Sequence, residues 1–173
     1  MPIVLGLKLT VPGENEFAAA IAAGRMVNFT QMVLGDANGA WYEVTGAETE
    51  LLNEQWRGPL LQIFRDATVL NRIICDAPVP VDIGGFTIRE FGLLSDTGVL
   101  MAIGMHQVIE LPAPGGATTL DIVIRGLLDV VNADVVNLVV DPYIVTATRI
   151  YVDTEIAKID ERARYWAFFG GGQ

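Results

Sequence analysis

Apolar and polar positions along the chain predict strands at the start, a short helix, a long strand-rich middle and a final helix. Met1 to Leu9 is short and apolar and predicts an opening strand. Pro12-Gly13-Glu14 then starts a helix over Glu14 to Ala23, with Phe17, Ala18, Ile21 and Ala22 on one face and Gly24 as its stop. Asn28 to Leu34 alternates as a strand does, and Gly35-Asp36-Ala37-Asn38-Gly39 is a turn cluster. Glu48 to Gln55 predicts a short helix carrying Leu51 and Leu52. The period then becomes two. Arg57 to Phe64 and Val69 to Ala77 are predicted as strands paired across a short turn. Phe86 to Leu94 and Val99 to Met105 form a hairpin around Ser95-Asp96-Thr97-Gly98. Pro112 to Gly116 is an exposed loop. Thr118 to Val131 and Val135 to Val140, rich in Val, Ile and Leu, fit inner strands of a sheet covered on both sides. This order predicts an α+β fold: an antiparallel β-sheet or sandwich with one N-terminal helix, followed by a C-terminal helix.

That last helix begins at Asp141-Pro142, an N-cap followed by a proline at the first helical position. No glycine or proline follows until Gly170, so up to roughly 28 residues form one helix about 40 Å long. Val145, Val152, Ile159 and Trp166 fall at heptad position d, and Arg149, Ile156 and Ala163 at position a. So narrow a seam suits a coiled coil, and β-branched residues at both positions favour three strands. The spacing therefore divides the chain into a globular domain over 1–140, a trimerisation helix over 141–169 and a flexible tail over 170–173. The alternative is a helix that folds back over its own domain. Asp153, Glu155 and Asp160 at the flanking positions face only Arg162, a poor interchain charge pattern, and Arg149 on the seam fits where the helices still splay.

Composition sharpens this. The chain of 173 residues is 51% hydrophobic and 18% charged, with a mean hydropathy of +0.42. Typical soluble domains carry nearer 25% charge, so the excess apolar surface calls for a membrane or for subunit interfaces. Asp129, Asn132, Asp134 and Asn137 interrupt the richest apolar region, so no run approaches the roughly 20 residues that a span needs. Membrane insertion is not expected; interfaces are. Met1 to Leu9 has neither a basic region nor a cleavage site, so no signal peptide is predicted. The net charge of −10 opposes nucleic acid as a partner. Cys75, the one cysteine, lies in an apolar run and reads as a core residue.

Catalytic chemistry is sparse. His106 is the one histidine and Ser95 the one serine, the latter within ordinary turn sequence lacking the surroundings of a nucleophile elbow. Asp36 and Asn38 resemble part of a calcium loop, but Ala47 stands where that loop needs its glutamate. Asp82 and Glu90, or Glu48, Glu50 and Glu54, read as carboxylates scattered over an acidic surface. Arg57, Arg89 and Arg125 lie in apolar runs and call for ion pairs with carboxylates such as Glu54, Glu90 or Asp121. Trp41, Tyr42 and Trp56 read as buried aromatics at contacts or as a sugar-stacking set. The residues predict no catalytic site, no metal and no cofactor.

Gly84-Gly85-Phe86-Thr87-Ile88-Arg89-Glu90-Phe91-Gly92-Leu93 resembles a signature of the phage tail-collar fibre family. Leu9-Thr10-Val11-Pro12-Gly13, Asn28-Phe29-Thr30 to Gly35-Asp36, and Leu52-Asn53-Glu54 to Arg57-Gly58 are similar to further blocks in matching order. So are Asp121 to Arg125 and Asp141-Pro142 to Asp153, and together the blocks cover most of residues 7 to 157. The resemblance implies a structural, non-enzymatic virion protein, made in the host bacterial cytoplasm and built into the tail. It implies a homotrimer whose globular end docks on a baseplate protein while the helix leads into a fibre. Family members usually continue much further than Gln173, which leads to the expectation of a short collar or adaptor onto which a distal fibre protein attaches. The apolar Phe168 and Phe169 are the expected docking end. The alternative function is a carbohydrate-binding, receptor-recognition module of a tail fibre.

Overall fold

In the computed structural model, which describes residues 2–114 and 122–139, Thr10 turns the opening strand into the helix. β1 (Ile3–Leu9) ends just before it and α1 (Val11–Ala23) begins just after it. The buried Thr10 hydroxyl accepts from Gly13 N–H at 3.0 Å, capping the first turn, and donates to the Leu100 carbonyl. Pro12 sits in that first turn, where a missing N–H costs nothing. The helix therefore starts earlier than the predicted Glu14. A Cβ on Gly13 would lie 2.2 Å from the Met101 carbonyl oxygen, so only glycine lets the helix come this close. That approach selects the inward face: Gly13, Phe17 and Ala20 are buried, whereas Ala18, Ile21 and Ala22, expected inward beside Phe17, are exposed. Gly24 closes the helix in the left-handed conformation, as expected.

The remaining strands are β2 (Phe29–Gly35), β3 (Glu54–Pro59), β4 (Gln62–Arg65), β5 (Arg72–Val79), β6 (Phe86–Ser95), β7 (Leu100–Leu111) and β8 (Ile122–Asp129). They form one eight-stranded sheet in the order β3-β2-β6-β7-β1-β8-β5-β4, so the fold is α+β with a mixed sheet rather than an antiparallel sandwich. β1 is the hinge of this arrangement. Ile3 to Leu7 pair in parallel with Ile124 to Leu128, and Lys8 and Leu9 pair antiparallel with Ile103 and Ala102. The β6–β7 hairpin stands where expected, with β7 running on past Met105 to Leu111.

Three expectations fail here. Arg57 to Phe64 is not one strand: β3 and β4 lie at opposite edges of the sheet, joined only by Leu60 and Leu61. Two residues between strand ends bridge at most about 10 Å, so the sheet must roll until its edges nearly meet, making a half-barrel. Leu60 N–H donates to the Thr30 carbonyl on one side and Leu61 N–H to the Asp76 carbonyl on the other, tying the two edges. Of the expected strand Val135 to Val140, the described residues, Val135 to Val139, do not form one. Ala133–Val135 forms a single 3-10 turn, after which Val136 bridges Val27 and Val139 bridges Ile63, filling the seam. Glu48 to Gln55 is not a helix; its Leu52 and Asn53 N–H groups are held by a side-chain carboxylate, described below.

Two apolar clusters result. The inner one gathers Leu5, Met32, Ile63, Ile73, Phe91 and Ile124 with their neighbours, covered by Phe17 and Ala20 of α1 and by Val130, Ala133 and Val136. Cys75 is fully buried among them, as expected, and burial pushes its thiol far above the ordinary range. The outer cluster lies on the opposite face of β2, β6 and β7, where Val33, Leu94, Leu100 and Ile103 are covered by Leu51 and Val44. The chain divides into two units, Met1–Val140 and Asp141–Gln173, and every described residue belongs to the first. The predicted seam of Val145, Arg149, Val152, Ile156, Ile159, Ala163 and Trp166, and the docking pair Phe168 and Phe169, lie outside the described residues.

Candidate functional site

A single carboxylate holds the loop that covers the outer cluster. On β6, Ile88 and Phe91 both join the inner cluster, and the register shifts between Ile88 and Glu90. Glu90 therefore sits on the outer face, beneath the long connection between β2 and β3, and is 0% exposed. Its Oε1 accepts from Ala37 N–H at 3.1 Å and Asn53 N–H at 2.7 Å. Its Oε2 accepts from the Tyr42 hydroxyl at 2.7 Å and Leu52 N–H at 2.9 Å. Each oxygen thus satisfies two donors that burial would otherwise leave orphaned. A Cβ on Gly35 would lie 2.5 Å from Glu90 Oε1, so the bare glycine makes room for the carboxylate. Ala37, buried with φ of 52°, occupies the left-handed region that non-glycine residues rarely adopt, and its N–H is one of those Glu90 holds.

Two further carboxylates tie the rest of the loop. Asp36 Oδ1 accepts from Asn38 N–H at 2.9 Å and from Asn53 Nδ2 at 2.8 Å, so the cluster expected to turn does so through this side chain. Glu48 accepts from Thr45 N–H, the Thr45 hydroxyl and Gly46 N–H, at 2.7 to 2.9 Å. Burial works to raise the Glu48 carboxyl, but these hydrogen bonds outweigh it and hold it below the usual range. Its grip is therefore present above the pKa of a free glutamate and is lost as the pH falls through the lowered folded value. Val11 N–H donates to the Gly46 carbonyl and Lys8 Nζ to the Thr45 carbonyl, anchoring the loop to β1 and α1. The Tyr42 phenol is pushed well above its ordinary range by burial and by its bond to Glu90.

So held, the loop presents Trp41 at 67% exposure. The indole borders an open groove of about 320 Å³ whose other walls include Gly6, Lys8, Glu43, Val44 and Met105. Of the three aromatics grouped by sequence, the structure leaves only Trp41 free to stack. Tyr42 is committed to Glu90, and Trp56 packs partly buried against the inner cluster with its ring over Gly58. Ser95 bonds Thr97 and Val99 within its hairpin turn, while His106 lies well inside β7, near the level of Glu90. Five residues of strand, roughly 17 Å, separate them, so no Ser-His pair forms.

The ion pairs divide differently from expectation. Arg57 does bond Glu54, at 2.6 and 2.7 Å. Arg125 instead grips the buried Asp76 through two bonds of 2.7 Å, and Gln62 Nε2 adds a third to the same carboxylate at 2.6 Å. Glu90, which by sequence is either a surface carboxylate or an ion-pair partner of a strand arginine, instead accepts from three backbone N–H groups and the Tyr42 hydroxyl, a role that sequence reasoning misses. Its signal is an acid followed directly by the apolar run Phe91 to Leu94, which needs buried donors if the strand is covered on both faces there.

The sequence model of the family described as "Phage tail-collar fibre protein, N-terminal" matches residues 4–150 of this chain. A curated relative, the "Probable tail fiber protein" of Escherichia phage P2, is 33% identical over 166 residues, which is 95% of this chain and 25% of the relative. The chain thus spans about a quarter of the length of the curated relative it matches. No solved structure matches it. The buried-carboxylate strand, the Thr10-capped helix and the Asp36 turn all fall inside the matched region. The chain belongs to the phage tail-collar fibre protein family, structural proteins of the phage tail, and is a component of the virion tail.

Proposed function

We propose that this chain forms the base of a trimeric tail fibre. The body over 1–140 attaches to a baseplate protein, the helix over 141–169 holds three copies together, and a distal fibre protein attaches beyond it by way of Phe168 and Phe169. The observation that carries this reading is the stripe of Val145, Val152, Ile156, Ile159 and Trp166, unbroken by glycine or proline. Family membership supports it, and so does a body whose inner core is covered by its own α1 and by the segment around Val130 to Val136. Light scattering or native mass spectrometry at micromolar concentration should read a trimer. Ile156→Asp combined with Ile159→Asp should give monomers whose circular dichroism keeps the strand signal. A double variant that stays trimeric removes the helix as the glue.

A second reading, a carbohydrate-recognition surface, is favoured by the exposed Trp41 beside its groove, with Lys8 and Glu43 at hand for hydroxyls. On this reading a glycan array shows binding that Trp41→Ala abolishes. An array without hits leaves the structural role alone.

A further inference from the structure

The two most exposed large apolar side chains among the described residues are Val131, at 88%, and Leu70, at 71%. They are neighbours. The β5–β8 ladder ends where Arg72 pairs with Asp129; Leu70 lies in the Val69–Arg72 turn just beyond it, and Val130 N–H donates to the Asn71 carbonyl, so the turn that carries Leu70 and the segment that carries Val131 stand together at this end of the ladder. Met26, Leu138 and Val139 are also exposed, and Val27, Val136 and Ile63 tie their segments to the same end of the half-barrel.

This patch has the anatomy of an interface, an apolar centre with a polar rim. Arg72 pairs with Asp129 and Arg65 with Asp134, each at 2.7 Å, while Asp66 is committed within its turn to Thr68 and Val69. In a chain of net charge −10, the carboxylates here are thus paired or engaged, which lowers the repulsion between like surfaces. The patch also adjoins the place where the chain leaves the body. Val139 bridges Ile63, three residues along β4 from Asp66, or about 10 Å from the turn that carries Leu70.

From this we infer that the surface centred on Leu70 and Val131 is where the body packs against second and third copies of the same chain. The inference rests on the trimeric reading above and extends it from the helix to the body. On that reading three chains that join one helical seam leave their bodies on the side facing the seam, so the surfaces around their points of departure are turned toward one another. An apolar ring there is buried by neighbouring copies; at the far end of the sheet it would not be.

The test uses the full chain. Leu70→Asp with Val131→Asp should raise the concentration at which the trimer dissociates by roughly a hundredfold, from the loss of two buried aliphatic contacts per copy. The melting temperature of the body should hardly move. Val108→Asp is the control: it is 55% exposed but lies toward the opposite end of the sheet, and it should leave association unchanged. If the unmutated chain is trimeric and the paired Asp variant dissociates no more readily, the inference is overturned while the helical trimer stands. If the unmutated chain is itself monomeric, the trimeric reading fails and takes the inference with it. Should the paired variant melt early, Leu70→Ser with Val131→Ser replaces it, and unchanged association in that protein overturns the inference equally.

Discussion

Glu90→Ala should free the connection between β2 and β3 while the sheet beneath it survives. Four donors lose their acceptor together: the N–H groups of Ala37, Leu52 and Asn53, and the Tyr42 hydroxyl. A buried donor left without a partner costs about 1–3 kcal/mol. The loop will open to water before it bears all four, so the expected loss is about 3 kcal/mol, or roughly 6–12 °C in melting temperature. Opening also uncovers the outer cluster, because Leu51 and Val44 ride on the same loop. Hydrogen exchange should therefore quicken at Leu52 and Asn53 and stay slow at Phe91 and Leu93. Glu90→Gln should fall between: its amide oxygen still accepts, but its NH₂ group meets donors. If the alanine variant melts with the unmutated protein and exchanges alike, another group holds the loop. Trp41 rides on this loop too, so any partner that reads the Trp41 groove should lose affinity in the same variant.

The second large effect is expected at Arg125. Asp76 is almost wholly buried, with its carboxylate gripped by Arg125 and steadied by Gln62. Arg125 also lies over the Phe64 ring, its Cζ 5.5 Å from the ring centre. Arg125→Ala strips the charge partner and leaves the carboxylate facing one amide. Breaking a buried pair on one side costs about 3–5 kcal/mol, and the partial exposure of Arg125 places this case near the lower figure. Because the pair joins β8 to β5, and Gln62 joins β5 to β4, the damage should spread toward the seam. Cys75 gives a built-in readout: a thiol-specific reagent should label it slowly in the native protein and markedly faster in Arg125→Ala. Replacing both partners, Asp76→Leu with Arg125→Met, should recover much of the loss, since no charge is then left buried. A double variant no more stable than Arg125→Ala would show that packing rather than charge is at stake.

Local features are legible in the order of the residues. The β6–β7 hairpin follows from alternation around Ser95-Asp96-Thr97-Gly98, and the helix stop at Gly24 follows from the residue type. Cys75 is in the core, as its apolar run with a period of two implies. The helix face is not legible in the same way. Apolarity alone points Ala18 and Ile21 inward, whereas backbone contact at Gly13 sets the rotation. Glu48 to Gln55 has helix-favouring residues, yet Glu90 accepts from its Leu52 and Asn53 N–H groups from the side and leaves it irregular. Arg57 to Phe64 alternates well enough to be one strand, and nothing within it announces that Leu60 and Leu61 must span a seam.

What the residues alone settled is everything carried by near neighbours: the β6–β7 hairpin, turn chemistry, the helix stop at Gly24, and the family blocks that run in order along the chain. The folded molecule decided which strands became neighbours, that β1 and β8 run parallel, that the sheet rolls shut, and that one glutamate disappears beneath a loop. The reason is range. Glu90 lies 37, 38, 48 and 53 residues from the four groups that bond it, so its surroundings come into being only when the sheet brings those segments together.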